Sequence, residues 1–394
     1  MSAPAASAAP VRVGVVGAGT IAGLHLAAYA RNPGVVVAGI CDIDGERAAA
    51  RAALHGAALV STDFRAFVAD PSIDAVSVCT RNDTHAEVAI AALEAGKSVL
   101  LEKPMAVTVA EAEAIVRAEA ASAGSVQVGY VRRHSSNAVT LKRFVDAGDL
   151  GPIYYAKAVF LRQAGDPGGW FSDRSISGGG PLVDLGVHLI DMALYLMDFP
   201  EPVAVTGYTF RKLGGRTNIR GLTRYLSADQ VPSTDPVEDL AGALVRFADG
   251  AVLSIETSYS VHGRDDLSFE VFGERGGATL EPELRITTEL HDTVVELRPN
   301  IDALSFDLEE GFQAEIDAFV RMVRGVGAST APATHGLHLT RILEAVYESA
   351  ATGREVRLDH DAAERAAAGA DAAVGAAERS RVMPAAGDPR PARA

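Results

Sequence analysis

Between residues 11 and about 128, short apolar runs alternate with longer Ala-rich stretches of helical period. Val11–Val16, Val35–Cys41, Leu59–Val60, Ala75–Cys79, Ser98–Leu101 and Ser125–Val128 predict strands. Ile21–Arg31, Glu46–His55, Ala86–Ala95 and Ala110–Ala123 between them predict helices. Strands alternating with helices predict an α/β unit with a doubly wound parallel sheet. Thr108, followed three positions later by Glu111, predicts a capping box on the last of these helices.

The pattern changes after about residue 130. One helical stretch, Asn137–Ala147, ends at Gly148. Longer strand-like runs follow at Ile153–Arg162, Pro202–Arg211, Leu240–Phe247, Ala251–Ser260, Leu267–Phe272, Ala278–Leu280 and Arg285–Leu290, with Asp249-Gly250 as a hairpin signal. Helical period returns at Phe312–Arg324 and Leu337–Thr352. This order predicts a C-terminal α+β domain with a large open, mostly antiparallel sheet. The expected organisation is a flexible segment 1–10, a nucleotide-binding domain 11–130, a second domain 131–360 and a disordered tail 361–394. The tail is rich in Ala, Gly, Pro and Arg and lacks large apolar residues from about Ala362.

A length of 394 residues suits two domains. The net charge of −15 argues against nucleic acid or an anionic membrane as a partner. No apolar stretch is long enough to cross a bilayer, and Met1–Pro10 lacks the basic region and apolar core of a secretory signal. Cys41 and Cys79, both at strand ends, read as small buried hydrophobes in a reducing compartment, so a cytoplasmic location is expected.

Candidate chemistry begins with Val-Arg-Val-Gly-Val-Val-Gly-Ala-Gly-Thr-Ile-Ala at Val11–Ala22. An apolar strand runs into a Gly-rich turn and a helix, an arrangement that holds a dinucleotide pyrophosphate on backbone N–H groups at a helix N-terminus. Gly17 permits the tight turn, Gly19 lets phosphate approach the main chain, and Ala22 keeps the helix close to the strand. Thr20 and Ile21 open that helix beside the expected phosphate. Asp42 ends the second strand, where its carboxylate can accept hydrogen bonds from the adenosine ribose. That carboxylate would repel a 2′-phosphate, and Ile43 beside it offers no cation to receive one, so NAD is favoured over NADP. The alternative is an ordinary βαβ unit without ligand.

Three further clusters lie at strand ends or in Gly-rich turns. Thr80-Arg81-Asn82-Asp83-Thr84-His85 follows one strand, which places Thr80 and Asn82 where a doubly wound sheet binds its ligand. Turn and capping chemistry is compatible with that role, and His85 serves either the ligand or nearby backbone groups. Glu102-Lys103-Pro104 follows another strand, and the proline restricts Lys103 to an extended conformation that can point its ammonium into the cleft. There it would stabilise an alkoxide or relay a hydroxyl proton. The third cluster, Ser177–Asp191, carries Gly178-Gly179-Gly180 into a helix bearing Asp184 and His188. Their four-residue spacing puts them on one helical face, where the carboxylate can orient the imidazole or merely bond to it structurally. A third metal ligand is missing, so no metal site is expected.

These motifs together resemble the Gfo/Idh/MocA oxidoreductase family. The resemblance runs from about Val11 to Leu358 and includes Gly17-Ala18-Gly19, Asp42, Thr80–His85, Glu102-Lys103-Pro104, Gly178–His188 and Glu344–Ala350. It implies a Rossmann domain followed by a domain built on a large open sheet, which often mediates dimers or tetramers. It also implies NAD as cofactor, with Glu102 and Lys103 beside it, and Lys103, Asp184 and His188 as the catalytic set, the last two also touching the substrate. Arg81 stands where many relatives have proline. Gly129-Tyr130-Val131-Arg132-Arg133 resembles a segment of inositol dehydrogenases, which makes Tyr130 and Arg132 candidate substrate contacts. Arg162 and Gln163 end a strand leading into a Gly-rich loop that holds Trp170, the single tryptophan. Trp170 could stack on a sugar ring, or plug the core or an interface. His335 is a further candidate.

The expected activity is NAD-dependent oxidation of a secondary hydroxyl of a sugar, glycoside or cyclitol, or the reverse reduction, by a homodimer or homotetramer. The alternatives are a redox-neutral glycosidase or epimerase that retains NAD, and a non-catalytic NAD sensor.

Overall fold

The computed structural model describes residues 9–214, 216 and 233–358. The expected tail 361–394 and most of the expected segment 1–10 lie outside the described residues. Contacts separate Met1–Val356 from the residues that follow, and the account below concerns the described residues of that first unit.

The N-terminal part is β1 (Val11–Val16), α1 (Thr20–Arg31), β2 (Val35–Cys41), α2 (Gly45–His55), β3 (Leu59–Ser61), α3 (Phe64–Val68), β4 (Ala75–Val78), α4 (His85–Glu94), β5 (Ser98–Leu101), α5 (Val109–Ala121) and β6 (Val126–Val128). Its six strands lie in the order β3-β2-β1-β4-β5-β6 and pair in parallel. The order reverses between β1 and β4, so the crevice beyond their carboxyl ends is the place where such sheets bind ligands. Local chemistry sets the helix starts. Asp44 accepts the N–H groups of Glu46 and Arg47 at the start of α2, and Thr108 and Glu111 form the expected capping box on α5. The short α3 was not visible as a period, because five residues span little more than one turn.

The C-terminal part contains α6 (Ser136–Asp146), β7 (Ile153–Leu161), α7 (Arg174–Ser177), α8 (Val187–Leu196), β8 (Pro202–Phe210), β9 (Leu240–Phe247), β10 (Val252–Ser258), β11 (Asp266–Gly273), β12 (Gly276–Glu281), β13 (Arg285–Leu290), β14 (Thr293–Leu297), α9 (Leu308–Val323) and α10 (Ala333–Thr352). Its sheet runs β14-β13-β12-β11-β7-β10-β9-β8, with a short strand that starts at Val356 at the far edge. It is open and mostly antiparallel, as expected. Only β7 and β10 pair in parallel among the described ladders of this sheet. The expected Asp249-Gly250 hairpin joins β9 to β10.

Helices α8 and α10 cover one face of this sheet. The other face leaves Tyr208 and Phe210 exposed and carries the stacked rings of Tyr155 and Phe272, 5.5 Å apart. The last two helices return to the first sheet. Ile316, Phe319, Val320 and Met322 of α9 share a core with Val13, Val15, Leu26 and Tyr29, and α10 packs on α5. Burial of these apolar faces joins both sheets into one unit, because removing such side chains from water contributes about 1.5–3 kcal/mol each.

Candidate active site

The Gly-rich turn has the shape expected for a pyrophosphate. Gly17 has φ +95°, and a Cβ there would stand 2.3 Å from the Cys79 carbonyl oxygen. The turn cannot retreat easily, since Gly17 N–H donates to the Cys41 carbonyl and Cys79 N–H to the Val16 carbonyl, each at 2.7 Å. Gly19 is the N-cap of α1, has no side-chain cap, and would present a Cβ to open space. The N–H groups that follow therefore face an opening that an anion can fill. Thr20 is exposed at its rim, and Ile21 packs partly against the core. Asp42 lies at the end of β2. One carboxylate oxygen accepts the Ala18 N–H at 2.7 Å and the other the Asp44 N–H at 2.9 Å. Each oxygen has a second lone pair for a ribose hydroxyl. Ile43, 92% exposed, offers no charge. These features fit NAD.

The next cluster is divided. Thr80 is partly exposed beyond β4. Asn82 is buried, and its side-chain amide donates to the Ser177 carbonyl at 2.8 Å, tying this turn to the Gly178–Gly180 loop. His85, expected beside the cofactor, is instead buried with Nδ1 2.7 Å from the Pro104 carbonyl and Nε2 3.2 Å from that of Thr80. Burial lowers its pKa, and the ring braces the chain after Lys103. Glu102, also expected beside the cofactor, likewise faces away from it. Its carboxylate turns into the core, with one oxygen 2.8 Å from His25 Nε2 and the other accepting the Lys103 N–H at 3.1 Å. The local reason is the partner each finds past the end of β5, His25 for the Glu102 carboxylate and Asp184 for the Lys103 ammonium.

Lys103 bridges the two parts of the chain. Its Nζ donates to Asp184 Oδ1 at 2.8 Å and to the Asp184 carbonyl at 3.0 Å. The two side chains are 16% and 13% exposed, open enough for a ligand yet poorly hydrated. Asp184 lies in a π-helical turn, Leu182–Gly186, that leads into α8. The turn is packed from outside. A Cβ on Gly179 would collide with the Tyr347 hydroxyl, and one on Gly180 would lie 2.6 Å from the Glu238 carbonyl oxygen. The buried Glu238 carboxylate accepts N–H groups from Gly180 and Leu182 and the Tyr347 hydroxyl.

This turn overturns one expectation. No hydrogen bond joins Asp184 to His188, because a π turn relates residue i to i+5 rather than i+4. Asp184 engages Lys103 instead, and His188 Nδ1 is buried without a hydrogen-bond partner. His188 as a whole keeps partial exposure. Its pKa is held well below the usual value by burial first, then by the charges of Lys103, Arg132 and Arg162. It is therefore neutral near pH 7 and can accept a proton.

Arg132 and Arg162 bracket the ring of Phe160, with guanidinium carbons 5.8 and 4.9 Å from its centroid. Arg132 also pairs with Glu281 at 3.4 Å, and Arg162 donates to the Gly165 carbonyl at 3.3 Å. Two other expected substrate contacts do not reach this place. Tyr130 is fully buried beneath the Arg133 guanidinium, 5.0 Å from its ring centre, as part of a core built on the Arg133–Asp191 pair. Gln163 donates its side-chain amide to the Gly263 carbonyl. Trp170 stacks on Phe171 at 3.8 Å in a loop anchored by Gly165 N–H to the Tyr259 carbonyl. His335 stacks on Phe199 and meets Arg133, away from Lys103.

The sequence reading missed Tyr259 and Glu238. The Tyr259 hydroxyl is buried beside Asp184, and burial, then the charges of Asp184 and Asp166, push its pKa up. Neither residue belongs to a motif, since only the folded sheet brings Tyr259 to Asp184 and Glu238 to the turn that carries it. Among the described residues, no group of three or more His, Cys, Asp or Glu could hold a metal ion, and no helix is long and apolar enough to cross a membrane.

Comparison with known proteins agrees with this geometry. Residues 11–130 match the oxidoreductase family with an NAD-binding Rossmann fold, GFO/IDH/MocA, and residues 138–279 match a GFO/IDH/MocA C-terminal domain. The chain is 30% identical to a D-glucoside 3-dehydrogenase of Escherichia coli, over 90% of this chain and 99% of that one. It is 30% identical to an inositol 2-dehydrogenase of Saccharopolyspora erythraea, over 87% and 94%. A solved levoglucosan dehydrogenase in complex with NADH and L-sorbose superposes with TM-score 0.77 at 28% identity, over 89% of this chain and all of that one. With its dinucleotide turn, its Glu-Lys-Pro segment and both matched domains, the chain belongs to the Gfo/Idh/MocA family and is an NAD-dependent oxidoreductase acting on CH–OH groups.

Proposed function

We propose that the protein oxidises a secondary hydroxyl of a sugar, glycoside or cyclitol, or reduces the corresponding ketone, with Lys103, Asp184 and His188 as the catalytic set. The observation that carries this reading is the Lys103 ammonium, held by Asp184 at the mouth of the NAD-binding crevice. The Gly17–Ile21 turn, Asp42 and Thr80 would hold NAD, which would supply the hydride-accepting chemistry. Residues 11–130 would seat the cofactor, and residues 131–360 the substrate. Lys103 stabilises charge growing on the carbinol oxygen and, with Asp184, fixes that oxygen in place. His188 is neutral and accepts the hydroxyl proton. Arg132 and Arg162 favour negative charge on the substrate oxygen, and Trp170 offers an aromatic face from its loop.

The relatives named above support a dehydrogenase and give no support to a redox-neutral glycosidase or epimerase. The Lys103–Asp184 pair beside His188 disfavours a non-catalytic sensor. We also infer a homodimer or homotetramer through the open sheet face that carries Tyr155, Tyr208, Phe210 and Phe272, because an apolar surface of this kind favours association.

The test is a panel of methyl glucosides, levoglucosan and inositols with NAD, following NADH formation. Stoichiometric NADH release with a panel member is expected. NADH binding without turnover of any polyol would defeat the proposal.

A further inference from the structure

Beneath Lys103 lies a set of buried polar contacts that the chemistry above does not use. His25 sits in the middle of α1 and is fully buried. Its Nε2 is 2.8 Å from one Glu102 oxygen, and its Nδ1 is 3.4 Å from the Ser77 hydroxyl, which lies 2.6 Å from the Tyr29 hydroxyl. The second Glu102 oxygen takes the Lys103 N–H, and the Phe312 ring of α9 packs 5.6 Å from the imidazole. Burial alone would strip both groups of charge. For His25, Cys79 and Glu102 overcome it and raise the pKa well above the usual value, while His25 and Lys103 hold Glu102 below its usual value. The contact is a buried carboxylate–imidazole pair at 2.8 Å. Such a pair is weak evidence for stability, since apolar residues of similar volume often serve as well. What it does provide is direction. It links α1, whose uncapped first turn would face the cofactor phosphates, to the backbone of the residue that carries the ammonium.

We propose that His25 is a positioning residue for the oxidoreductase reaction, holding Glu102 so that Glu102 fixes the Lys103 main chain and hence the ammonium on Asp184. The proposal rests on the role of Lys103 argued above. His25 and Glu102 touch neither substrate nor cofactor. Without the imidazole, the Glu102 carboxylate has no partner on α1 and seeks water or the Lys103 ammonium itself. Lys103 then samples positions away from the carbinol oxygen, and misplacement on the scale of an ångström can cost about 10²-fold in rate.

The experiment uses His25→Gln in the full-length protein, with two readouts. In amide hydrogen exchange, the Lys103 N–H is expected to exchange about tenfold faster or more, while the amides of β1 and β4 keep wild-type protection. In turnover of the best panel substrate, kcat is expected to fall about tenfold or more with the NADH dissociation constant unchanged. No further fall is expected in a Lys103→Ala background, since residues acting as one unit are not additive. Uniformly faster exchange, unchanged exchange at Lys103, or an equal loss of kcat in both backgrounds would overturn the assignment. If His25→Gln does not fold, Glu102→Gln replaces it with the same expectations. Full turnover by Lys103→Ala alone would refute the role of Lys103, a result distinct from failure of the His25 link.

Discussion

Gly17 and Gly19 separate the needs of the fold from those of the cofactor. At Gly17 an added Cβ would lie 2.3 Å from the Cys79 oxygen, where ordinary contacts begin at 3.4 Å, so the overlap cannot be absorbed in place. The positive φ costs about 1–2 kcal/mol for alanine. Relief requires breaking at least one hydrogen bond that pins the turn, worth about 0.5–1.5 kcal/mol. Gly17→Ala should therefore cost about 1.5–3.5 kcal/mol, which is about 10- to 400-fold in the NADH dissociation constant if the loss falls on the bound geometry. At Gly19 the φ is −75° and a Cβ would meet nothing within 4 Å. Gly19→Ala should leave Tm within about 1 °C of wild type, as surface changes usually do. It should still weaken NADH about tenfold or more, because the methyl group occupies the path by which phosphate reaches the main chain. Fluorescence titration with NADH and thermal unfolding of both variants decide the matter. Wild-type NADH affinity in either variant, or equal loss of Tm in both, would refute the assignment of this turn to the cofactor.

Three further outcomes follow from the site. Asp42→Ala should narrow the preference for NAD over NADP in kcat/KM and should loosen the turn, since Ala18 N–H loses its acceptor at 2.7 Å; equal or better efficiency of the wild type with NADP would count against Asp42 as the selector. The His188 pKa lies well below its usual 6.5, and the neutral form is the base, so kcat/KM should show no acid limb from this group near pH 6.5 and should fall only as the pH drops through the lowered value; a limb at 6.5 that vanishes in His188→Ala would contradict this. Trp170→Ala should raise KM for the sugar with Tm little changed if the indole stacks on substrate, whereas a fall in Tm or loss of the oligomer at constant KM would assign it to packing.

Most of the fold was legible because both periodicities are strong. Val11–Val16 and Val35–Cys41 are strands at the expected bounds, and the Thr108–Glu111 box starts α5 where the spacing put it. Glycine and carboxylate positions around Gly17 and Asp42 were legible for the same reason, since a turn of that kind constrains backbone within a few residues. Side-chain direction was not. His85 and Glu102 stand at the right strand ends yet face inward, because Pro104 and His25, distant in sequence, supply their partners. The spacing of Asp184 and His188 misled because helical arithmetic assumes an α turn, and the glycines packed against Tyr347 and Glu238 accompany a π turn instead. Tyr259 and Glu238 carry no local signature, as they flank the β9–β10 hairpin and meet the turn around Asp184 only through packing across some 50 residues or more of sequence.

The central claim is that Lys103, held on Asp184, drives oxidation of a carbinol by NAD without holding the cofactor itself. The most direct measurement compares Lys103→Ala with wild type in kcat for NADH formation from the best substrate of the panel, alongside the NADH dissociation constant of each. Loss of an acid–base or charge-stabilising group of this kind should lower kcat by about 10²-fold or more. NADH affinity should stay near the wild-type value, because the Gly17–Gly19 turn and Asp42 are untouched. Turnover near the wild-type rate, or a loss of turnover matched by an equal loss of NADH binding, would contradict the claim.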